Sequence, residues 1–332
     1  MPKRAHSDGA ATLPSKQSRS STISSAGSNR VPARVTGDIV PVGTTDWITF
    51  ARGNKFRVDK TDLLLDIMKH DSSDIILRPR RFGKTWFLTV AHDFFNVAET
   101  KAELAKRKRI FKKMNIHKVD PTFVDKHCGR YPVIYLSLKY MRSDELDKFR
   151  SDMARAISKA IDKWCHAISD TSKAELNDSR NRLKQMKSNM YNSVDDGVAI
   201  LSELVDYLRE YYNAQCIVLV DSFDAPIMEA YDRTRDRVKR YVRRLLSPLA
   251  EDNTRVRKFI MVGTSPVNLD TFGPGMNNCR RYLLHEHSDR SREDAPLYQT
   301  SFGFTKEEVE ALLDKAAVKW GLTTEQGDHL RR

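Results

Sequence analysis

The chain has little of what would place it in a membrane, outside the cell or on a structural metal. Its longest β-like apolar run covers residues 217–220, far short of a membrane span. The N-terminal MPKRAHSDGAAT has no apolar block behind its positive charge, so no secretory signal is expected. Four cysteines, Cys128, Cys165, Cys216 and Cys279, lie far apart and fit neither a disulfide framework nor a metal knuckle. They read as free thiols in a reducing compartment, which predicts an intracellular protein, cytoplasmic or nuclear, without a membrane partner. No internal repeat is present. Acidic residues are in deficit: 44 Asp and Glu against 57 Lys and Arg give a net charge of +13 and a pI near 9.5, which suits polyanionic partners.

What remains is enough for a folded enzyme or binding domain. A length of 332 residues with 40% hydrophobic and 9% aromatic content supports one large domain or two ordinary ones. A mean hydropathy of −0.56 and 30% charged residues imply that part of the chain is solvated. Residues 1–38 are rich in Ser, Ala, Gly, Thr, Lys and Arg and nearly lack large apolar groups, so they are expected to be a disordered basic tail. Pro2-Lys3-Arg4 with Lys16 and Arg19 fits a nuclear address or simply a flexible basic tail. Residues 1–45 carry a net +4 and residues 101–118 a net +7, the latter fitting either a solvated face or a nucleic-acid contact.

Periodicity predicts an alternation of strands and helices from about Ile39 onward. Leu63, Leu64, Ile67 and Met68 recur at helical spacing, predicting a helix over 61–70. Residues 75–77 are a short apolar run, followed by a turn and a stripe of Phe82, Trp86, Phe87, Val90 and Phe94. Residues 131–138 and 217–220 have the near-continuous apolar character of strands buried on both faces, and 259–262 is a further strand. Ser143 is expected to cap a long helix carrying Leu146, Phe149, Met153, Ile157, Ile161, Trp164 and Ile168. A polar stretch over 169–192 precedes a helix opened by a capping box at Ser193–Asp196, with Val198, Leu201, Leu204, Val205 and Leu208 inward. A helix over 231–249 turns Val238, Val242, Leu245 and Leu249 inward and Arg233, Arg237, Arg240 and Arg244 outward. Residues 272–278 read as loop, and Thr305 with Glu308 forms a capping box for a last helix. The pattern predicts a three-layer α/β domain over 39–280 with a mainly parallel sheet and a helical insertion, then a loop and helical segment over 281–332.

The chemistry concentrates in residues 74–91, DIILRPRRFGKTWFLTVA. A strand, a compact turn from Arg78 to Gly83 and a helix opened by Lys84-Thr85 would aim backbone N–H groups and one ammonium at a common point, which suits a phosphate. Arg78 stands where the Gly-x-x-x-x-Gly-Lys-Ser/Thr pattern has its first glycine, so by itself the stretch fits a phosphate cradle or a basic surface turn. In the first case Arg78, Pro79, Arg80, Arg81, Phe82, Gly83, Lys84 and Thr85 would wrap the phosphates of a nucleoside triphosphate. Lys84 would reach the β/γ-phosphates and Thr85 would ligate Mg²⁺. The partner should be an acid at the carboxyl end of an apolar strand, and Asp221 after 217–220 has that form as second Mg²⁺ holder and catalytic acid. Cys279, His285 and His287 cluster in sequence without a matching fourth ligand and read as ordinary loop residues.

These stretches together resemble the AAA-ATPase-like proteins, a P-loop NTPase group. The resemblance runs from about Val40 to Leu313 through RVDKTDLL, ILRPRRFGKTWFL, YPVIYLSLK, IVLVDSFDAPI, GPGMNN and FGFTKEEV, with RPRRFGKT the distinctive landmark. It implies an ATP-binding domain of the additional-strand class, with a strand between those bearing the Walker A loop and the Walker B acid; residues 131–138 would be that strand. It also implies a Glu after Asp221, as general base, where this chain has Ser222; a serine cannot take that proton at neutral pH, so hydrolysis is expected to be weak or absent unless Asp224 substitutes. A basic residue expected after the strand at 259–262 is replaced by Gly263-Thr264-Ser265, leaving only hydroxyls to sense a γ-phosphate. Many relatives continue into a nuclease-like domain of the PD-(D/E)XK type, which the residues up to Arg332 are not expected to contain. The expected function is therefore Mg-ATP binding with doubtful turnover. The competing reading is a non-enzymatic module that keeps the fold and binds nucleic acid or a protein partner, including a second copy of itself, through its basic segments.

Overall fold

Apolar runs without alternation need cover on both faces, and the chain supplies it by returning a helix after nearly every strand. In the computed structural model, residues 34–36, 57–70, 73–191, 194–251, 254–265, 279–283, 298 and 301–321 are described. In chain order they form β1 (Arg34–Thr36), β2 (Arg57–Asp59), α1 (Leu63–Lys69), β3 (Ser73–Leu77), α2 (Lys84–Phe95), α3 (Lys101–Phe111), α4 (Asn115–Val119), α5 (Phe123–His127) and β4 (Val133–Ser137). There follow α6 (Leu146–Asp162), α7 (Cys165–Ser169), α8 (Asn177–Asn189), α9 (Val194–Tyr212), β5 (Cys216–Asp221), α10 (Ala225–Met228), α11 (Asp232–Ala250), β6 (Val256–Gly263), β7 (Cys279–Tyr282) and α12 (Lys306–Trp320). All of these belong to one compact unit, Val31–Arg332.

The main sheet has five strands in the order β4-β5-β6-β3-β7, and every pairing is parallel. Successive residues of the central strands enter opposite cores. Val218, Val220, Phe259 and Met261 pack with α6, α9 and α11, whereas Ile217, Leu219, Ile260 and Val262 pack with α1, α2 and the aromatic rings of α3 and α5. This is the three-layer α/β architecture that the alternating pattern predicts.

The strand between β3 and β5 is β6, not the 131–138 segment assigned to that place from the sequence. Residues 133–137 form β4, the edge strand beside β5, with Val133 opposite Ile217. On β4, Tyr135 and Ser137 are only half-buried, whereas residues 258–263 of β6 are buried without interruption. An edge position tolerates the first pattern, while only a central one demands the second. An unbroken apolar run alone does not separate them.

Several boundaries also move. Arg34–Thr36 pairs antiparallel with Arg57–Asp59, so a strand lies inside the tail expected to run to residue 38; residues 1–33, 37 and 38 fall outside the described ones. The N-cap of α6 is Glu145, not Ser143. Ser143 is instead buried, with its carbonyl accepting from the Thr234 hydroxyl at 2.9 Å. The helix stops at Asp162, and Trp164 and Ile168 stand at and within the separate α7. The polar stretch after it contains α8, which packs on α9. Ser193, on which the expected capping box at 193–196 rests, and the loop at 272–278 are outside the described residues, as are His285 and His287. The box at Thr305 is present: its hydroxyl accepts from the Glu308 N–H and the Glu308 carboxylate from the Thr305 N–H. Among the described residues no helix is long and apolar enough to cross a membrane, and the cysteines are free thiols, only Cys165 being exposed.

Candidate functional site

β3 delivers the chain to the carboxyl edge of the parallel sheet, the edge where such folds gather ligands. The turn that follows closes through two left-handed residues, Arg81 (φ 68) and Gly83 (φ 83), and Gly83 is the N-cap of α2. Nothing lies within 4 Å of a Cβ added at Gly83, so glycine answers to the backbone angle there and not to crowding. The first turn of α2 holds no acidic side chain, which leaves its end electropositive.

Lys84 is buried to 9% exposure, and its ammonium donates to the carbonyls of Arg78 at 2.7 Å and Pro79 at 2.8 Å. Burial lowers its pKa below the ordinary lysine value, and the charges of Asp224 and Asp221 oppose that shift. Thr85, next along α2, donates its hydroxyl to Asp221 Oδ2 at 2.8 Å. Two elements far apart in sequence thus set a hydroxyl, a carboxylate and an ammonium side by side.

Asp221 ends β5 at 1% exposure. Its Oδ2 also accepts from the Tyr135 hydroxyl at 3.3 Å, and its Oδ1 from the Ser222 hydroxyl at 3.2 Å. Burial and then the Asp221 charge push the Tyr135 phenol far up, so it serves only as a donor. Ser222 itself is in the left-handed region (φ 56). Asp224 is buried, and its Oδ2 accepts the backbone N–H groups of Thr264 at 2.7 Å and Ser265 at 2.8 Å. It thereby ties the end of β5 to the end of β6. Gly263 makes that tie possible, since a Cβ there would meet the Phe223 ring at 2.6 Å and Asp224 Oδ1 at 2.9 Å.

The arginines divide. Arg78 turns away from the turn's mouth and is 3% exposed, donating to the carbonyls of Leu77 (2.7 Å), Tyr282 (2.7 Å) and Tyr298 (3.0 Å). It braces the turn from behind. Arg80 and Arg81 remain at the exposed mouth, while Pro79 and Phe82 are half-buried. The Asp59 carboxylate accepts from Thr61 and from the N–H of Asn115. Lys60 reaches the C-terminal landmark instead, donating to the Gly303 carbonyl at 3.0 Å and pairing with Glu308 at 2.8 Å, while the Gly303 N–H donates to the Phe82 carbonyl. Three sequence landmarks therefore meet beside one turn.

Two features were not anticipated. Tyr135 sits among apolar residues of β4 with no local signal of its role. Beneath the turn, Asp74 and Lys258 form a buried ion pair at 2.9 Å, with the Tyr298 hydroxyl donating to the same carboxylate oxygen. Burial raises the Asp74 pKa and lowers that of Lys258, against the pull of their pairing. A cavity of about 960 Å³ also runs from Thr85 and Asp221 along α2 past His92 to Trp164 and Tyr212.

Residues 41–272, which contain both the turn and Asp221, match the protein family described as predicted AAA-ATPase. The chain belongs to this family. An uncharacterised protein encoded in the vnfD 5′ region of Azotobacter chroococcum mcd 1 is 24% identical over 280 residues, covering 82% of this chain and 44% of its own length. The chain thus spans less than half of that relative. No solved structure matches. The matched region stops before the capping box of α12, although Glu308 of that box pairs with Lys60 and Gly303, just before it, donates to the Phe82 carbonyl of the turn.

Proposed function

We propose that the protein binds Mg-ATP on residues 78–85 and hydrolyses it slowly or not at all. The observation that carries the first half is the contact of Thr85 with Asp221 beside the buried ammonium of Lys84. A hydroxyl and a carboxylate of this kind suit a hard divalent cation, which takes oxygen ligands. Among the described residues the ammonium is held by carbonyls of its own turn, so it can swing to a phosphate without breaking an ion pair with any of them. Bound Mg²⁺ would neutralise and orient the terminal phosphates, with Thr85 and Asp221 as its protein ligands. The adenine nucleotide is inferred from the family's description; the geometry itself supports a phosphate-bearing ligand.

The second half rests on what surrounds Asp221. Ser222 holds the position where the family resemblance implies a general base, and its hydroxyl is turned onto Asp221. Asp224, the other candidate base, is occupied in holding two N–H groups of the 264–265 turn. Neither is arranged to take a proton from water. The test is Mg-ATP binding and turnover for the wild type, Lys84→Ala and Ser222→Glu. Wild type is expected to bind in a Lys84-dependent manner with slow turnover, and Ser222→Glu to turn over faster. Absence of nucleotide affinity in the wild type would overturn the proposal, and brisk hydrolysis would overturn its second half.

A further inference from the structure

The chain has two strongly basic helical regions, and the fold treats them differently. In α3 and the residues after it, Arg107 is buried against Glu103 and the Asn96 carbonyl, while Lys108 and Lys112 both pair with Asp125. Much of the charge noticed at 101–118 is therefore neutralised within the protein. In α11, seven basic residues face two acidic ones. Arg233, Arg237, Arg240 and Arg244 are spaced four, three and four residues apart and are all exposed, so they share one face of the helix. Among the described residues Arg237 and Arg240 make no ion pair, and Arg233 lies over the Tyr231 ring at 5.9 Å. The acids of the helix do little to offset this face: Asp232 pairs with Arg235, and Asp236 flanks the stripe alone. The opposite face, Val238, Val242, Leu245 and Leu249, is fully buried, so the arginine face cannot rotate inward.

We infer that the Arg233–Arg237–Arg240 face of α11, with the exposed ring of Tyr231 at its head, is a binding surface for the phosphodiester backbone of single-stranded nucleic acid. The stripe is about 10 Å long at about 1.5 Å per residue. A strand stacked as in B-form DNA presents one phosphate per about 3.4 Å of axis, so that length meets at most about three phosphates. Guanidinium groups suit such oxygens through paired N–H donors. Tyr231 is 58% exposed, so it offers a face on which a base can stack and favours a single strand over a duplex. The helix is also placed to couple the two ligands. It follows the loop carrying Asp221 and Asp224 and leads into β6, whose end Asp224 holds.

The test uses the full chain, without nucleotide, and a labelled mixed-sequence single-stranded 20-mer, the matching duplex, and vesicles rich in anionic phospholipid. Single-strand binding is expected to weaken steeply with salt. The triple variant Arg233→Gln/Arg237→Gln/Arg240→Gln should lower affinity at least tenfold near 0.1 M salt and flatten the log–log salt slope by about two. Lys106→Gln/Arg109→Gln/Lys113→Gln should change it by less than threefold, and Tyr231→Ala should weaken the single strand but not the duplex. All of these positions are exposed or partner-free, and thermal melts should be unchanged. Salt-independent binding, equal loss in the two triple variants, or binding to vesicles in place of oligonucleotide would overturn the inference. Equal affinity for duplex and single strand with Tyr231→Ala silent would overturn the single-strand assignment. Lys84→Ala should leave oligonucleotide binding intact, so this outcome is independent of the nucleotide proposal.

Discussion

The turn at 78–85 and the acidic loop at 221–224 face each other across the sheet edge but are stabilised in different ways. The turn is shaped by its backbone: two left-handed residues bend it, and Arg78 braces it from behind through three carbonyls, so its ammonium and the N–H groups of α2 stay available. The acidic loop is shaped by its side chains. Asp221 already accepts from Thr85, Tyr135 and Ser222, and Asp224 from two N–H groups of the neighbouring strand's end. A site with one open half and one closed half can hold a ligand without processing it.

The largest effect that would break this comparison is on the open half. Lys84→Ala should reduce Mg-ATP affinity on the order of 100-fold, about 2.7 kcal/mol, by calorimetric titration, since a charge-assisted contact to phosphate disappears. An unchanged affinity would mean that the ammonium is structural. Next comes Arg78→Met, which strands the carbonyls of Leu77, Tyr282 and Tyr298 in a buried site. Denaturant melts should show a loss of about 2–3 kcal/mol, larger than for Arg80→Met or Arg81→Met, which change exposed side chains.

On the closed half the expected change is smaller and of opposite sign. Ser222→Glu should raise ATP turnover about tenfold, measured as phosphate release, with little change in stability, since Ser222 already carries a Cβ at its positive φ. No gain in rate would move the block from Ser222 to the engagement of Asp224. The smallest effect is on pH. Burial holds the folded Lys84 pKa below 10.5, and a bound phosphate restores it. Nucleotide affinity should therefore be flat at neutral pH and fall as pH rises through the lowered value, with fractional proton uptake on binding at alkaline pH. Calorimetry in buffers of different ionisation enthalpy checks this, and proton release would contradict it.

Much of the candidate site was legible because its signals are local. Gly83, Lys84 and Thr85 announce themselves by order and spacing at a strand–helix junction, and Asp221 by its place at the end of an apolar run. The Arg78 side chain reads locally as part of a phosphate turn, yet its partners are the carbonyls of Tyr282 and Tyr298, more than 200 residues away. Tyr135 and the Asp74–Lys258 pair were invisible for the same reason. Charge counting was misleading in α3, since Asp125 and Glu103 neutralise cations there only after folding.

By itself the sequence determined the apolar strands and the helices with a clear apolar stripe, the parallel α/β class, the capping box of α12 and the place of the two loops after their strands, since each depends on residue spacing within about one element; β1, α3, α4, α5, α8 and β7 carried no such pattern. Tertiary structure alone decided that β6 and not β4 lies between β3 and β5, that the Arg78 side chain braces the turn from behind, and that Asp224 clamps the 264–265 turn. Apolar runs specify burial but not neighbours, and a charged side chain's role depends on partners that only the folded chain brings within reach.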